Sequence, residues 1–275
     1  MHNVIYFTAA IGLISCLNNP AGRRNVFSID KEGRHCISEY YADGNIKSTK
    51  IWIDSAAQTY AQIDYDTSGY PIDSLNYERG KLNGMNYLYV HDTLLITEYL
   101  EGIESGVKTA FYPNGETMYF GNMIDGKQIG GWKFFHSNSE LESYEYFNLK
   151  GERMFLVHFS ETGEVEKCQG YVILGEELHF DTITKREGQF GIMNLANPVP
   201  ECTVSCSYGI SNIDGSVTSL RVMEIDSADY ALNREGKIEY LCDRKGPTSM
   251  QLLCNVTYKD SIILRDTAYV KYFVK

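Results

Sequence analysis

Basic residues are the first shortage: 25 Lys and Arg stand against 36 Asp and Glu, for a formal net charge of −11. The deficit is concentrated, with +2 over residues 1–35, −10 over 36–171 and −3 over 172–275. Nucleic acid and anionic lipid are bound through an excess of Lys and Arg, so the acidic middle excludes both as partners of that region. A basic, protein or saccharide partner suits it better. Long apolar runs are also missing. The longest, "VIYFTAAIGLI" at residues 4–14, has eleven residues, too few to span a bilayer as a helix. Gly-x-Ser-x-Gly, a phosphate-binding glycine loop and His-Glu-x-x-His are absent, which removes the commonest signatures of hydrolase, nucleotide and zinc-protease chemistry. The chain reads as a non-enzyme that needs no cofactor and no metal.

Proline is scarce too, at 6 residues, whereas there are 24 glycines and 21 tyrosines. That mixture favours many short strands joined by tight turns. At 43% hydrophobic and 22% charged, the chain is too apolar for disorder and long enough for two domains with cores of their own.

The turns recur. "YYADGNI", "YDTSGYP", "YVHDTLL", "FYPNGET", "FHSNSEL" and "FSETGEV" place Gly44, Gly69, Asp92, Gly115, Ser139 and Gly163 at one equivalent point, with spacings of 25, 23, 23, 24 and 24. Between them falls a second marker, a Gly-x-x-x-Gly pair: Gly80 and Gly84, Gly102 and Gly106, Gly126 and Gly130, with Gly151 a lone remnant. Dipeptides such as Asp43-Gly44 and Asn114-Gly115 predict two-residue hairpin loops, because those residues tolerate the positive φ such loops require. Each unit is then a β-hairpin. Large side chains at alternate positions, Trp132 and Phe134 in one copy, Tyr87 and Tyr89 in another, predict strands with a packed face. Serial hairpins stabilise one another through shared edges, and the expected product is an elongated antiparallel sheet, with a closed barrel or two-layer sandwich as the alternative.

With these motifs, residues 36–171 resemble the MORN-type repeats, in the bacterial variant common among antitoxin components. The best copies are "GKQIGGWKFFHSNS" from Gly126 and "GVKTAFYPNG" from Gly106. The resemblance implies a repeat sheet that binds or scaffolds. Its candidate contact residues are Tyr87, Tyr89, Phe111, Tyr112, Trp132, Phe134 and Phe135. After Tyr171 the period is lost, and about seven β-rich segments in about a hundred residues suggest a β-sandwich-like domain over 172–275.

The N-terminus carries an address. Leu13-Ile14-Ser15-Cys16 behind the apolar run resembles a bacterial lipobox, although no Lys or Arg precedes the run. The resemblance implies a signal peptide over 1–15 and diacylglycerol on Cys16. It further implies a tether over 16–35 and a lipid-anchored place in the cell envelope, at the outer membrane facing the periplasm. An exported chain permits disulfides, and a hairpin centred near residue 248 would pair Cys242 with Cys254. "DYDTSGYPIDSL" imitates a calcium loop but ends in Leu75 where a bidentate Glu belongs, and Gly69 is already explained by the repeat. The resulting expectation is an exported lipoprotein acting as a non-catalytic binding module toward a protein or saccharide. Alternatives of other classes are an antitoxin or immunity protein, and an envelope enzyme acting on glycans.

Overall fold

The structure is a computed structural model and describes residues 25–90, 92–177, 182–183, 190–196, 202–212, 214, 216–225, 233–239 and 245–275. All regular elements among them are strands. A long antiparallel sheet of fourteen strands comes first. It contains β1 (Asn25–Ile29), β2 (His35–Tyr40), β3 (Ile46–Asp54), β4 (Thr59–Tyr65), β5 (Pro71–Glu78), the short β6 (Lys81–Leu82), β7 (Gly84–Val90) and β8 (Thr93–Leu100). It continues with β9 (Ile103–Phe111), β10 (Thr117–Ile124), β11 (Lys127–Phe135), β12 (Leu141–Phe147), β13 (Arg153–Phe159) and β14 (Val165–Gly170). Its spatial order is the chain order, with β6 attached to the side of β5. The path is open, so the expected sheet of serial hairpins forms and the barrel does not.

The two sequence markers separate two kinds of loop, with chemistry the reverse of the expectation. The exceptions are Asp92, in a two-residue loop between the paired Val90 and Thr93, and Gly151, in a three-residue loop closed by Asn148 N to Glu152 O. At Asn114-Gly115 only the glycine is left-handed, at φ 86°. Gly115 N donates to Tyr112 O at 2.9 Å and Tyr112 N to Glu116 O at 2.8 Å, which makes a three-residue loop closed by a bulge. Asn114 has no positive φ, and its side chain caps the turn instead, its Oδ1 accepting from Glu116 N at 3.0 Å. Two-residue loops occur at the other marker. Asp125 and Gly126 have φ of 50° and 75°, as a type I′ turn demands of both central residues. So the first glycine of each Gly-x-x-x-Gly ends a tight turn.

Successive loops are tied together. Tyr41 Oη donates to Tyr65 O at 2.7 Å, and Asn45 Nδ2 to Thr67 O at 2.8 Å. Three repeat periods later, Asn114 Nδ2 donates to Ser137 O at 3.1 Å, and Ser139 Oγ to Glu116 Oε2 at 2.6 Å. On the opposite edge Gly102 N donates to Leu82 O and Gly126 N to Glu104 O, at 2.8 and 2.9 Å. These neighbouring hairpins are therefore bonded through loops as well as strands.

The chain divides into two compact units. One holds the described residues up to Lys127 with Ser137–Ser139, and the other holds Gln128–His136 with Glu140–Lys275. In the second unit, β12 to β14 share a core with the C-terminal strands. Those strands are β15 (Ile173–Glu177), β16 (Thr182–Ile183), β17 (Phe190–Ala196), β18 (Cys202–Ser211), β19 (Val217–Val222), β20 (Glu224–Ile225), β21 (Asn233–Glu239), β22 (Gly246–Tyr258) and β23 (Ser261–Val274). They form two sheets, β15-β17-β21-β20 and β16-β23-β22-β18-β19. Leu195 and Ile238 of the first pack with Tyr208, Ile210, Met250, Leu252, Val270 and Tyr272 of the second, giving the expected sandwich-like core.

β22 and β23 run to 13 and 14 residues, about twice the usual strand length. Met250 and Leu252 of β22 lie in the sandwich core, whereas Val256 and Tyr258 pack with Tyr144, Tyr146, Phe155 and Val157 of the repeat strands. Three bonds fasten this second core: Tyr258 Oη donates to Gly163 O at 2.9 Å, and the buried Asp266 Oδ2 accepts from Val172 N and Ile173 N at 2.8 Å each. Cys254 is bridged to Cys206, which lies directly opposite it on β18 with Cα atoms 4.2 Å apart. This corrects the Cys242–Cys254 expectation. Residues 246–258 form one continuous strand whose turn comes at Lys259 and Asp260, so no hairpin folds about residue 248. Cys242 lies outside the described residues.

Gly115→Val should lower unfolding free energy by about 1–2 kcal/mol, the cost of a left-handed non-glycine residue, in urea titration. Asp266→Ala should cost about 1–3 kcal/mol in the same assay by leaving the Val172 and Ile173 amides without their acceptor.

Candidate functional site

Alternation along the strands sorts the first unit into two faces. On one, the register aligns Tyr87, Ile96, Thr109 and Phe120 in a row across β7 to β10, beside a second row of Tyr89, Leu94 and Phe111. Met85 and Val107 lie on the same face by alternation. Met85, Tyr89, Val107 and Phe120 are between 36% and 42% exposed, so this is a contiguous apolar and aromatic surface open to solvent. Residues 25–127 around it hold 15 carboxylates against eight Lys and Arg.

The other face carries polar chemistry. Glu39, Ser48, Asp64 and Asp73 occupy one row across β2 to β5, and Lys50 and Gln62 the next. Glu39, Ser48, Lys50, Gln62 and Asp64, together with Lys47 and Tyr65, border a shallow cavity of ≈ 650 Å³ at this end of the sheet. Gln62 Nε2 donates to both oxygens of Asp64, at 3.2 and 3.1 Å. Lys50 Nζ sits 3.4 Å from the centre of the Tyr60 ring and 4.3 Å from that of Trp52. Trp52, Tyr60 and Tyr77 continue as a ladder with centroid separations of 5.0 and 4.6 Å. Asp73 thus has a like charge opposite it, and its Oδ1 is shielded from solvent with no hydrogen-bond partner. Burial first, and the charge of Asp64 second, push the Asp73 carboxyl above its ordinary value.

The predicted contact residues separate. Tyr89 is exposed, and Tyr87, Phe111 and Tyr112 are half-buried in the first unit. Trp132 is 2% exposed, with the Phe134 ring 6.3 Å away, so it is a core residue and offers no contact surface. Phe134 and Phe135 are half-buried in the second unit. The sequence reading missed Met85, Val107 and Phe120. Alternation from Tyr87 and Tyr89 reaches Met85, but Phe120 changes parity because a bulge falls between Thr117 and Tyr119. In the calcium-like stretch, Asp66 Oδ1 accepts from Ser68 N and Tyr70 N at 2.9 Å each and so caps a repeat turn. Cys16 lies outside the described residues. Among those residues Cys36 and Cys168 are free thiols, and burial pushes the Cys168 thiol up to about 11.

No known protein family matches the chain, and no curated protein does. Among solved structures it is similar to the extracellular domain of a protein assigned to a hybrid two-component system in B. thetaiotaomicron. Identity there is 9% and the TM-score 0.21, over 90% of this chain and 37% of that one. It is also similar to the trimeric ectodomain of the C. elegans fusion protein EFF-1, with 11% identity and a TM-score of 0.23 over 89% and 68%. The chain thus spans just over a third of the first of these. Neither score reaches the level of a shared fold. No helix among the described residues is long and apolar enough to cross a membrane.

The Asp73 carboxyl has a sign that can be tested. A folded-state pKa above the unfolded one means that stability is lost as pH rises from the ordinary carboxylate range, about 3.9, through the folded value. Asp73→Asn should remove that loss. Urea midpoints of the variant should exceed those of the parent at neutral pH and converge with them in acid.

Proposed function

We propose that this chain is an exported bacterial lipoprotein whose MORN-type repeat sheet binds a protein partner in the cell envelope without catalysing a reaction. The observation that carries the binding claim is the bare face of β7 to β10, where Met85, Tyr89, Val107 and Phe120 remain exposed beside Tyr87 and Phe111. A sheet face of this kind offers large, stiff side chains at low entropic cost, as protein interfaces do. Its acidic surroundings select a partner with a basic rim. Export is supported by the Cys206–Cys254 bridge, since structural disulfides persist in oxidising compartments. The lipobox-like Leu13-Ile14-Ser15-Cys16 supports the anchor, the neutral Leu17 after the cysteine supports an outer-membrane position, and a tether without an acidic cluster supports the periplasmic side.

Two experiments separate the anchor from the binding. A clickable palmitate analogue fed to cells should label the parent chain and leave Cys16→Ala unlabelled; equal labelling of both contradicts the anchor. In pull-downs from envelope extracts, the parent should retain a partner that Tyr89→Ala combined with Val107→Ser loses, with both chains melting alike. Retention by that variant would move the binding surface elsewhere.

A further inference from the structure

The solvent side of the β16-β23-β22-β18-β19 sheet has a composition unlike the rest of the chain. Alternation turns Arg265, Thr267, Tyr269, Lys271 and Phe273 of β23 outward, and all five are exposed. Their inward neighbours Asp266, Val270, Tyr272 and Val274 are buried. The register sets Arg265 beside Asn255 and Ser205, Thr267 beside Leu253 and Ser207, Tyr269 beside Gln251, and Lys271 beside Ser249.

Two features of this face point to a ligand. First, β18, β22 and β23 together contain three charged residues, Arg265, Asp266 and Lys271, and the one acid among them points inward to cap Val172 and Ile173. A protein of net charge −11 therefore keeps these three strands free of outward carboxylates and leaves two cations there. Second, Tyr269 and Phe273 are 56% and 46% exposed on the same strand. Their spacing of four residues puts them roughly 14 Å apart, and Arg265 and Lys271 stand roughly 20 Å apart, on a strand paired along its length with β22.

We infer that this face binds an anionic polysaccharide. The exposed rings of Tyr269 and Phe273 suit the apolar faces of sugar rings, and the hydroxyl and amide side chains of Ser205, Ser249 and Gln251 suit sugar hydroxyls. Arg265 and Lys271 suit carboxylate or phosphate groups along the polymer, with the Arg guanidinium able to pair in two-pronged fashion. The charge complementarity also gives the ligand its sign, since a neutral glycan would leave both cations unused. The site is separate from the bare repeat face, and it stands whether or not that face binds a protein.

Calorimetric titration of an oligogalacturonate into the full chain tests this, with dextran as the neutral sugar and polyglutamate as the acid without sugar rings. The expected result is saturable binding of oligogalacturonate that weakens with added salt and falls by about tenfold or more in Tyr269→Ala. It should fall similarly in Arg265→Gln combined with Lys271→Gln, while dextran and polyglutamate bind far more weakly. These side chains are exposed, so the variants should melt with the parent, and Tyr89→Ala should bind oligogalacturonate as the parent does. Absence of saturable binding overturns the inference. Equal binding of polyglutamate overturns it in favour of charge alone. Self-association at low salt that Tyr269→Ala abolishes overturns it in favour of a second copy as the occupant.

Discussion

Edge-to-edge pairing of hairpins is the constraint on which the rest of this molecule depends. A lone two-stranded hairpin is marginal in water. Here those inside the sheet are flanked on both edges, and several loops are bonded to the next, as Tyr41 is to Tyr65 O and Asn114 to Ser137 O. Once the pairing is fixed, alternation leaves no freedom over which side chain faces where. The same register that lines up Tyr87, Ile96, Thr109 and Phe120 puts Glu39, Asp64 and Asp73 in a row on the reverse. A slip of one residue would exchange the two surfaces, and the bulges at the loops are what absorb the odd residue without such a slip.

The C-terminal half applies the same rule over longer strands. β22 alternates buried and partly buried residues for its whole length and so serves two cores in turn, the sandwich through Met250 and Leu252 and the repeat strands through Val256 and Tyr258. Asp266 shows the cost and use of this arrangement. A buried carboxylate is tolerated there because two backbone amides donate to it, and they belong to the segment where the repeats end and the sandwich begins. Its strand neighbours Arg265 and Thr267 are then obliged to face solvent.

Much of this was legible in the residues. Glycine, tyrosine and the two interleaved markers predicted an all-β chain of serial hairpins, because turn chemistry is local and a period of two dozen residues is visible without coordinates. The type of turn was not legible. Asn114-Gly115 is compatible with either a two-residue or a three-residue loop, and only the pairing of Tyr112 with Glu116 decides between them. Trp132 reads as a surface aromatic in its own strand, yet its burial depends on what neighbouring strands place around it. The partner of Cys254 was likewise hidden, since Cys206 stands 48 residues earlier and β18 meets β22 by a long-range pairing that no local spacing announces. The bare face was half visible: Tyr87, Tyr89 and Phe111 by alternation, but not Phe120, which a bulge moves into line.

Single-residue hydrogen exchange on the full chain, with and without a loosened loop, tests the central claim that the hairpins cooperate as one sheet. Weakening the loop at Gly115 should speed exchange in β9 and β10 and also in the adjacent hairpin, at amides such as Ile96 and Thr97 of β8. Acceleration confined to β9 and β10, with β7 and β8 unchanged, would mean that each hairpin stands alone and would contradict the account.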